Sequence, residues 1–370
     1  MARMGFDSSS IANELADPAD PADPDRPAAP AAPTGPAAAP LPRGPSPRFS
    51  VLIPLYNKAA YIRGALQSVM AQTFADFEVV VVDDGSTDGG ANIVESFRDP
   101  RVRLVRQANA GVSVARNTAI EQARGDWVVF LDADDWQHPC FLASLQTVQQ
   151  QHPDVHCVAT RYVEFRDEGG AAPAGWDLPA GPPPVERIDD LAARWMRGAS
   201  LFTGSVAVRR ALLRDMQPCF RPGESFGEDL ELWFRISERT PIALATVPLV
   251  GYRTHVHGSL TRRDDARGLP PWVDRMRQRV TAPGFDGERR RSALVLIAQF
   301  RVGLARDALA AGRRAQALGL LLQAHHAVGS RRWWFTAFMA CWPADWADGY
   351  LQHGPRPAGV ACPLANLQPS

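Results

Sequence analysis

Acids crowd three short stretches of the chain. Phe-Leu-Asp-Ala-Asp-Asp-Trp at 130–136 puts Asp132, Asp134 and Asp135 within four positions, Asp-Asp-Gly-Ser-Thr-Asp at 83–88 opens on Asp83 and Asp84, and Gly-Glu-Asp-Leu-Glu-Leu-Trp at 227–233 sets Glu228 beside Asp229. Carboxylates this close repel one another, so they stand in open solvent, cap a helix or hold a cation. Each stretch also has a purely structural reading: 83–88 as a turn with a helix cap, 132–135 as a capping cluster, Asp229 as a helix N-cap paired with an arginine. What separates the readings is where the neighbouring elements place these acids.

From Arg48 onward, short apolar runs alternate with helical patterns. FSVLIPLY, FEVVVVDD, RVRLVRQ and WVVFLD read as four strands, and AAYIRGALQSVMAQ repeats Ile62, Leu66, Val69 and Met70 at helical spacing. GSTDGGANIVESF opens with hydroxyl and acidic caps before turning helical, and a further helix is expected from Val112 to Ala123. A helix near Pro139–Gln151, a strand near VHCVAT, a strand in SLFTGSVAVRR and a helix in EDLELWFRISER follow. Continuous apolar strands alternating with amphipathic helices predict an α/β fold, a Rossmann-like and mostly parallel sheet covered on both faces.

Ligands of such a sheet bind outside the carboxyl ends of the strands, and that is where the acids fall. Asp83 and Asp84 end the second strand, and Asp132, Asp134 and Asp135 end the fourth. On the same rim, Tyr56 ends the first strand and can pack on a flat ring, Arg116 follows the Gly-containing loop of NAGVSVARN and suits a phosphate or a base, and Glu228 and Asp229 open a helix whose positive end keeps carboxylates ionised.

SVLIPLYNKAAYI, VVVVDDGSTD, NAGVSVARN, GDWVVFLDADD and GEDLELWFR, in this order, resemble the family 2 glycosyltransferases of GT-A fold over about residues 48–260. The resemblance implies a nucleotide-diphosphate sugar donor, a UDP-sugar, and Mg²⁺ or Mn²⁺ as cofactor, since a D-x-D motif holds a divalent cation against the charge that develops on the diphosphate. It makes Asp132 a ribose and metal-side contact, Asp134 a direct metal ligand, Asp84 the acid that meets the nucleotide base, and Pro54 and Tyr56 the wall on which the base rests. It makes Asp229, the second acid of the pair with Glu228, the general base of an inverting displacement. In Tyr-Arg-Thr-His-Val-His-Gly-Ser-Leu at 252–260, Arg253 and His255 match a further metal or diphosphate element of the family, with His257 as a competing imidazole because the spacing to Ser259 departs from the usual one. The acceptor implied is a glycan or lipid-linked hydroxyl in cell-surface polysaccharide synthesis.

Composition bounds the alternatives. Forty basic and forty acidic residues in 370 create no field that would attract nucleic acid. Five dispersed cysteines without C-x-x-C spacing fit a reduced, cytoplasmic setting. No apolar stretch reaches the length of a membrane span, and MARMGFDSSS lacks the apolar core of a signal peptide. Residues 1–47, rich in Ala, Pro and Asp, are expected to form a disordered tail; residues 48–262 form the GT-A domain; residues 263–370 form a helical C-terminal region. The Pro/Gly-rich loop at 166–187 is long enough to flank a site. In the C-terminal region Trp333, Trp334, Phe335, Phe338 and Trp342, next to Arg331 and Arg332, suit either a peripheral contact with the inner membrane face or a helical packing face, and the spacing favours packing. A sugar nucleotidyltransferase also uses paired acids on an α/β sheet, but it carries a Gly-rich phosphate loop that IPLYNKAAY lacks. A non-catalytic scaffold has no need of Asp132, Asp134 and Asp229 together.

Overall fold

A computed structural model describes residues 46–166, 178, 181–225, 227–254, 256 and 269–341. The N-terminal tail, most of the 166–187 loop, His255, His257, Ser259 and Trp342 lie outside these described residues. The strands expected from their apolar runs form β1 (Phe49–Leu55), β2 (Phe77–Asp83), β3 (Val102–Arg106) and β4 (Trp127–Phe130), paired in parallel in the order β3-β2-β1-β4. Every residue of β2 and β4 is buried, as an unbroken apolar run requires when helices cover both faces. Alternate side chains serve the two faces. Leu52, Val80, Val82, Val128 and Phe130 join one hydrophobic cluster, while Val51, Ile53, Val79, Val81 and Val129 join the other.

The helices α1 (Ala59–Met70), α2 (Gly90–Ser96) and α3 (Val112–Gln122) make the crossovers between these strands. Leu55 pairs with Asp83, so β1 and β2 end level and Tyr56 emerges beside Asp84. Beyond β4 the sheet changes character. β5 (Trp136–Gln137), β6 (Cys157–Arg166), β7 (Val185–Ile188), β8 (Val206–Arg209) and β9 (Ile242–Thr254) extend it in the order β4-β8-β6-β9-β5, with β7 also on β9. Only β6 and β9 pair in parallel there; β8, β5 and β7 run antiparallel to their neighbours. The parallel expectation therefore describes the first half of the sheet. In the second half Tyr162, Val163 and Phe165 of β6 are only half-buried, because this end of the strand runs past β8, whose pairing stops at Ala159, and keeps its parallel partner β9.

The helices α4 (Phe141–Gln151), α5 (Leu191–Trp195), α6 (Arg210–Arg214) and α7 (Glu228–Ser237) pack on this half. Then α8 (Pro271–Thr281), absent from the sequence reading, brings Trp272, Val273, Met276 and Val280 into the same hydrophobic cluster as Phe130 and Trp233. The first half of α9 (Gly287–Ala310) does likewise through Leu296 and Phe300, so the core of the sheet domain continues past residue 263. The second half of α9 forms a smaller cluster with α10 (Arg314–Gln323) and α11 (Arg331–Cys341), built mainly on alanines with Val302, Leu309, Leu321 and Met339. Within α11, Trp333 packs on that cluster while Trp334, Phe335 and Phe338 are exposed, so among the described residues the aromatic stripe is not a packing face throughout. Among the described residues no helix is long and apolar enough to cross a membrane.

Candidate active site

At the carboxyl ends of β1, β2 and β4, loops rather than the strands themselves aim the side chains. The turn after β2 is tied to the turn after β1 by several bonds. Asn57, held at φ 51, accepts from the Thr87 amide at 2.8 Å and gives its own amide to Ser86 Oγ at 3.1 Å. Asp88 then caps two helices at once, accepting from Ala59 N of α1 at 2.7 Å and Gly90 N of α2 at 2.9 Å. These bonds cost backbone strain at Asn57 and fix the start of α1, which carries Lys58.

Asp84 is 2% exposed and its carboxylate organises the loop before α3. Oδ1 accepts from Gln107 Nε2 at 2.7 Å and Ala110 N at 2.9 Å, and Oδ2 accepts from Gly111 N at 2.9 Å. Gly85 sits at φ +75, with Asn109 N only 3.0 Å from where a Cβ would stand, so the two loops approach as closely as glycine permits. Tyr56 is 49% exposed above this floor and Pro54 is half-buried beneath the same rim, an arrangement open to a flat ring.

The acids after β4 divide among three partners. Asp132 Oδ1 accepts from Arg116 Nη2 at 2.8 Å, and Asp134 Oδ2 accepts from Lys58 Nζ at 2.6 Å. Asp135 turns inward: it is buried, Oδ1 accepts from the Arg253 amide at 2.9 Å, and Oδ2 has no hydrogen-bond partner among the described residues. Burial first, then the neighbouring Asp134 and Asp132, hold the Asp135 carboxyl well above the usual carboxylate range, so it belongs to the footing of the motif rather than to its open face. Arg253 completes that footing by donating from Nε to the Asp134 carbonyl at 2.8 Å.

Arg116 is the hub of the site. Buried on α3, it reaches Glu228 Oε1 through Nη1 at 2.6 Å as well as Asp132, and its guanidinium lies 5.3 Å from the centre of the Phe220 ring. Burial opposes its charge, but Asp132, Glu228 and Asp229 together raise its pKa above the ordinary arginine value. Glu228 moves upward as well, to about 7: burial is the main cause, Asp229 adds to it, and Arg116 opposes it. One guanidinium does not compensate three carboxylates.

Asp229 is the acid of the pair that stays half-exposed. Its Oδ2 accepts from Thr203 Oγ1 at 2.7 Å, and Thr203 sits in a short helical turn, Thr203–Ser205, where the sequence suggested strand. Gly227, just before, is at φ +71 and lies under the Trp272 indole, whose Nε1 is 2.6 Å from where a Cβ would be, so only glycine lets α7 start there. Glutamates in and flanking α7 are braced from α8: Arg275 bonds Glu231 and also donates to Glu224, before the helix, at 2.7 and 2.8 Å, and Arg279 reaches Glu238, at its C-terminal end, at 3.0 Å.

The structure thus brings Pro54, Tyr56, Asp84, Arg116, Asp132, Asp134, Glu228 and Asp229 to one rim, as the sequence suggested, and leaves His255 outside the described residues. Lys58 and Thr203 join them unannounced. The signal for Lys58 was its place directly after Tyr56-Asn57; for Thr203 there was none.

Residues 50–214 match the family model for glycosyl transferase family 2. Over this stretch, somewhat under half of its length, the chain is similar to the family 2 glycosyltransferases. Its relatives include an uncharacterized glycosyltransferase of Escherichia coli, YibD, 44% identical over 103 residues, which are 27% of this chain and 30% of that protein. The chondroitin synthase of Escherichia coli is 34% identical over 135 residues, 36% of this chain and 20% of that protein. The chain spans about a third or less of the length of these curated relatives. Residues 1–349 of S. aureus TarS, solved with UDP-GlcNAc, share the fold with a TM-score of 0.58 and 21% identity over 81% of this chain and 88% of that one. This likeness bears out the GT-A architecture with its helical C-terminal region. The acids after β2 and β4 and Arg116 fall inside the matched segment, whereas Glu228 and Asp229 lie beyond it.

Proposed function

We propose that this protein transfers a sugar, with inversion, from a UDP-sugar to a hydroxyl of a glycan or lipid-linked acceptor in surface polysaccharide synthesis. The observation that carries the reading is the convergence of Asp132, Asp134, Arg116 and Asp229, from three separate elements, on the rim beside the exposed Tyr56 ring. The fold shared with TarS, a protein solved with UDP-GlcNAc and with UDP, supports the donor class, and the match to a chondroitin synthase supports a glycan product.

The donor set fits a hard divalent ion. Among the described residues no three His, Cys, Asp or Glu side chains form a ready-made metal cage. Mg²⁺ and Mn²⁺ do not need one, since they bind through one or two carboxylates, waters and substrate phosphates. Asp132 Oδ2 and Asp134 Oδ1 accept no hydrogen bond from the described residues and are the oxygens left for an ion. When bound, the cation neutralises the charge that builds on the diphosphate as the glycosidic bond breaks. The rest falls to the chain. Arg116 fixes Asp132, Tyr56 and Pro54 flank the base, and Asp229, held by Thr203, accepts the proton of the acceptor hydroxyl as its oxygen bonds the anomeric carbon and the bonding pair departs with UDP.

Peripheral attachment to an anionic membrane belongs to the same reading. Residues 287–341 hold nine arginines against Glu288 and Asp307, although the whole chain is neutral. Six of the seven exposed large hydrophobics among the described residues lie there: Leu318, Leu322, Val328, Trp334, Phe335 and Phe338.

The function is tested by melting the protein with a panel of UDP-sugars, in Mn²⁺ and in EDTA. A true donor at 100 times its Kd raises stability by about 2.7 kcal/mol, and Asp134→Ala removes both the Mn²⁺ dependence and sugar transfer without lowering the thermal midpoint. Stabilisation by no UDP-sugar with either Mn²⁺ or Mg²⁺ would remove the donor assignment. Full transfer in EDTA would remove the metal.

A further inference from the structure

Two cations hold the D-x-D carboxylates, and they differ in what they can do next. Arg116 is locked: buried, forked between Asp132 at 2.8 Å and Glu228 at 2.6 Å, and backed by Phe220. Lys58 makes a single-point contact, Nζ to Asp134 Oδ2 at 2.6 Å, with each side chain 18% exposed, at the end of a four-carbon stem. Its backbone is fixed by the Asn57 bonds to Ser86 and Thr87, while its ammonium, 5.7 Å from the centre of the Tyr61 ring, is held by no second carboxylate among the described residues.

We propose that Lys58 is a cation exchanger at Asp134: it occupies the metal ligand until a divalent ion arrives, is displaced from it, and then contacts the diphosphate that accompanies the ion. The charges require a displacement of this kind. A divalent ion on the open Asp134 Oδ1 stands beside an ammonium already bonded to Oδ2 of the same carboxylate, and two cations sharing one carboxylate repel at that distance. The incoming diphosphate supplies the anion that the displaced ammonium lacks, and Lys58 stands on the same rim, two residues from Tyr56. Arg116 has no such freedom, so Asp132 keeps its partner throughout. The exchange makes ion and donor binding mutually dependent: either alone leaves one charge unmatched, and together they satisfy all. It rests on the metal-dependent reading above.

The test compares wild type with Lys58→Met, which keeps the stem and removes the charge, and Lys58→Arg, which keeps the charge and can fork onto Asp134. Binding of Mn²⁺ alone is followed by loss of the free-ion paramagnetic signal, and binding of UDP is followed by calorimetry at saturating Mn²⁺. Lys58→Met is expected to bind Mn²⁺ alone about fivefold more tightly, the weight of an ion pair of this exposure, and to bind UDP with Mn²⁺ more weakly than wild type. Lys58→Arg is expected to bind Mn²⁺ alone more weakly than wild type, which tests the exchange even if the Met variant does not fold. Wild-type Mn²⁺ affinity in both variants overturns the exchange while leaving the metal site standing. If wild type takes up no Mn²⁺ even with UDP, the metal-dependent reading falls first and the exchange falls with it.

Discussion

Glu228 and Asp229 are adjacent in sequence and unequal in setting. Glu228 is buried on Arg116, and Asp229 is half-exposed and steadied by Thr203. Asp229→Asn preserves shape but cannot take a proton, so turnover is expected to drop about 10²- to 10⁴-fold with donor affinity nearly unchanged. Single-turnover kinetics with donor titration separates the two effects, and wild-type rates would place the base elsewhere. Glu228→Gln is expected to show its effect in pH dependence. With its pKa raised to about 7 in the fold against an ordinary value of 4.5, Glu228 binds its proton more tightly folded than unfolded. It therefore contributes stability below pH 4.5 and loses that contribution as pH climbs through 7. Between pH 5 and 8 the melting curve of wild type should fall relative to that of Glu228→Gln, and parallel curves across that range would contradict the assignment. These two acids were legible because they open a helix in a compact motif. Thr203 was not, because its partner lies 26 residues away and no periodic pattern links a side chain to a partner at such a distance, and Lys58 had only its place after Tyr56-Asn57 to mark it, its partner Asp134 lying 76 residues on.

Among the elements, those defined by buried periodicity were legible and those defined by pairing were not. β1, β2, β4, α3 and α7 were foreseen because each is an apolar run or a one-sided helix. β7 and β5 are short, and the mostly apolar, buried run of β9 is interrupted by Pro248 and Gly251, so the extent of these strands comes from the neighbours they pair with. α10 and α11 pose the opposite problem, since the sequence cannot say which side of an aromatic stripe meets water. With Leu322 77% and Trp334 60% exposed, the last two helices are expected to bind vesicles that contain anionic phosphatidylglycerol and to ignore neutral phosphatidylcholine. Replacing Trp334 and Phe338 by Ser should abolish co-sedimentation while leaving the thermal midpoint in place. Binding to both vesicle types would remove the electrostatic part of the argument. Self-association that the double substitution breaks, without vesicle binding, would mean that a second copy covers this face.

For the whole molecule, the α/β class followed from apolar runs alternating with helical patterns, and the candidate site from the acids at the strand ends, whereas the extent of the core was not legible. Trp272 shows why: it sits in a helix with a polar sequence, yet it stacks on Phe234 at 5.6 Å and meets Phe300 at 5.4 Å, joining sheet, α7 and α9. Trp272→Ala is expected to cost about 3–5 kcal/mol of stability and to lower transfer at temperatures where the fold persists, because the start of α7 loses the surface it rests on. Denaturant titration reads the first effect, and a loss under 1 kcal/mol would show that the indole is not structural. The same contact governs how this protein can be recombined. A chimera that joins its first 262 residues to the helices of a relative, in the hope of exchanging acceptor preference, would also remove the Arg275 and Trp272 scaffolding of α7. The productive seam lies later, in the middle of α9 between Phe300 and Val302, where one hydrophobic cluster gives way to the next. Lineages that diversify by swapping their C-terminal helices would be expected to preserve everything upstream of that seam as a single inherited block.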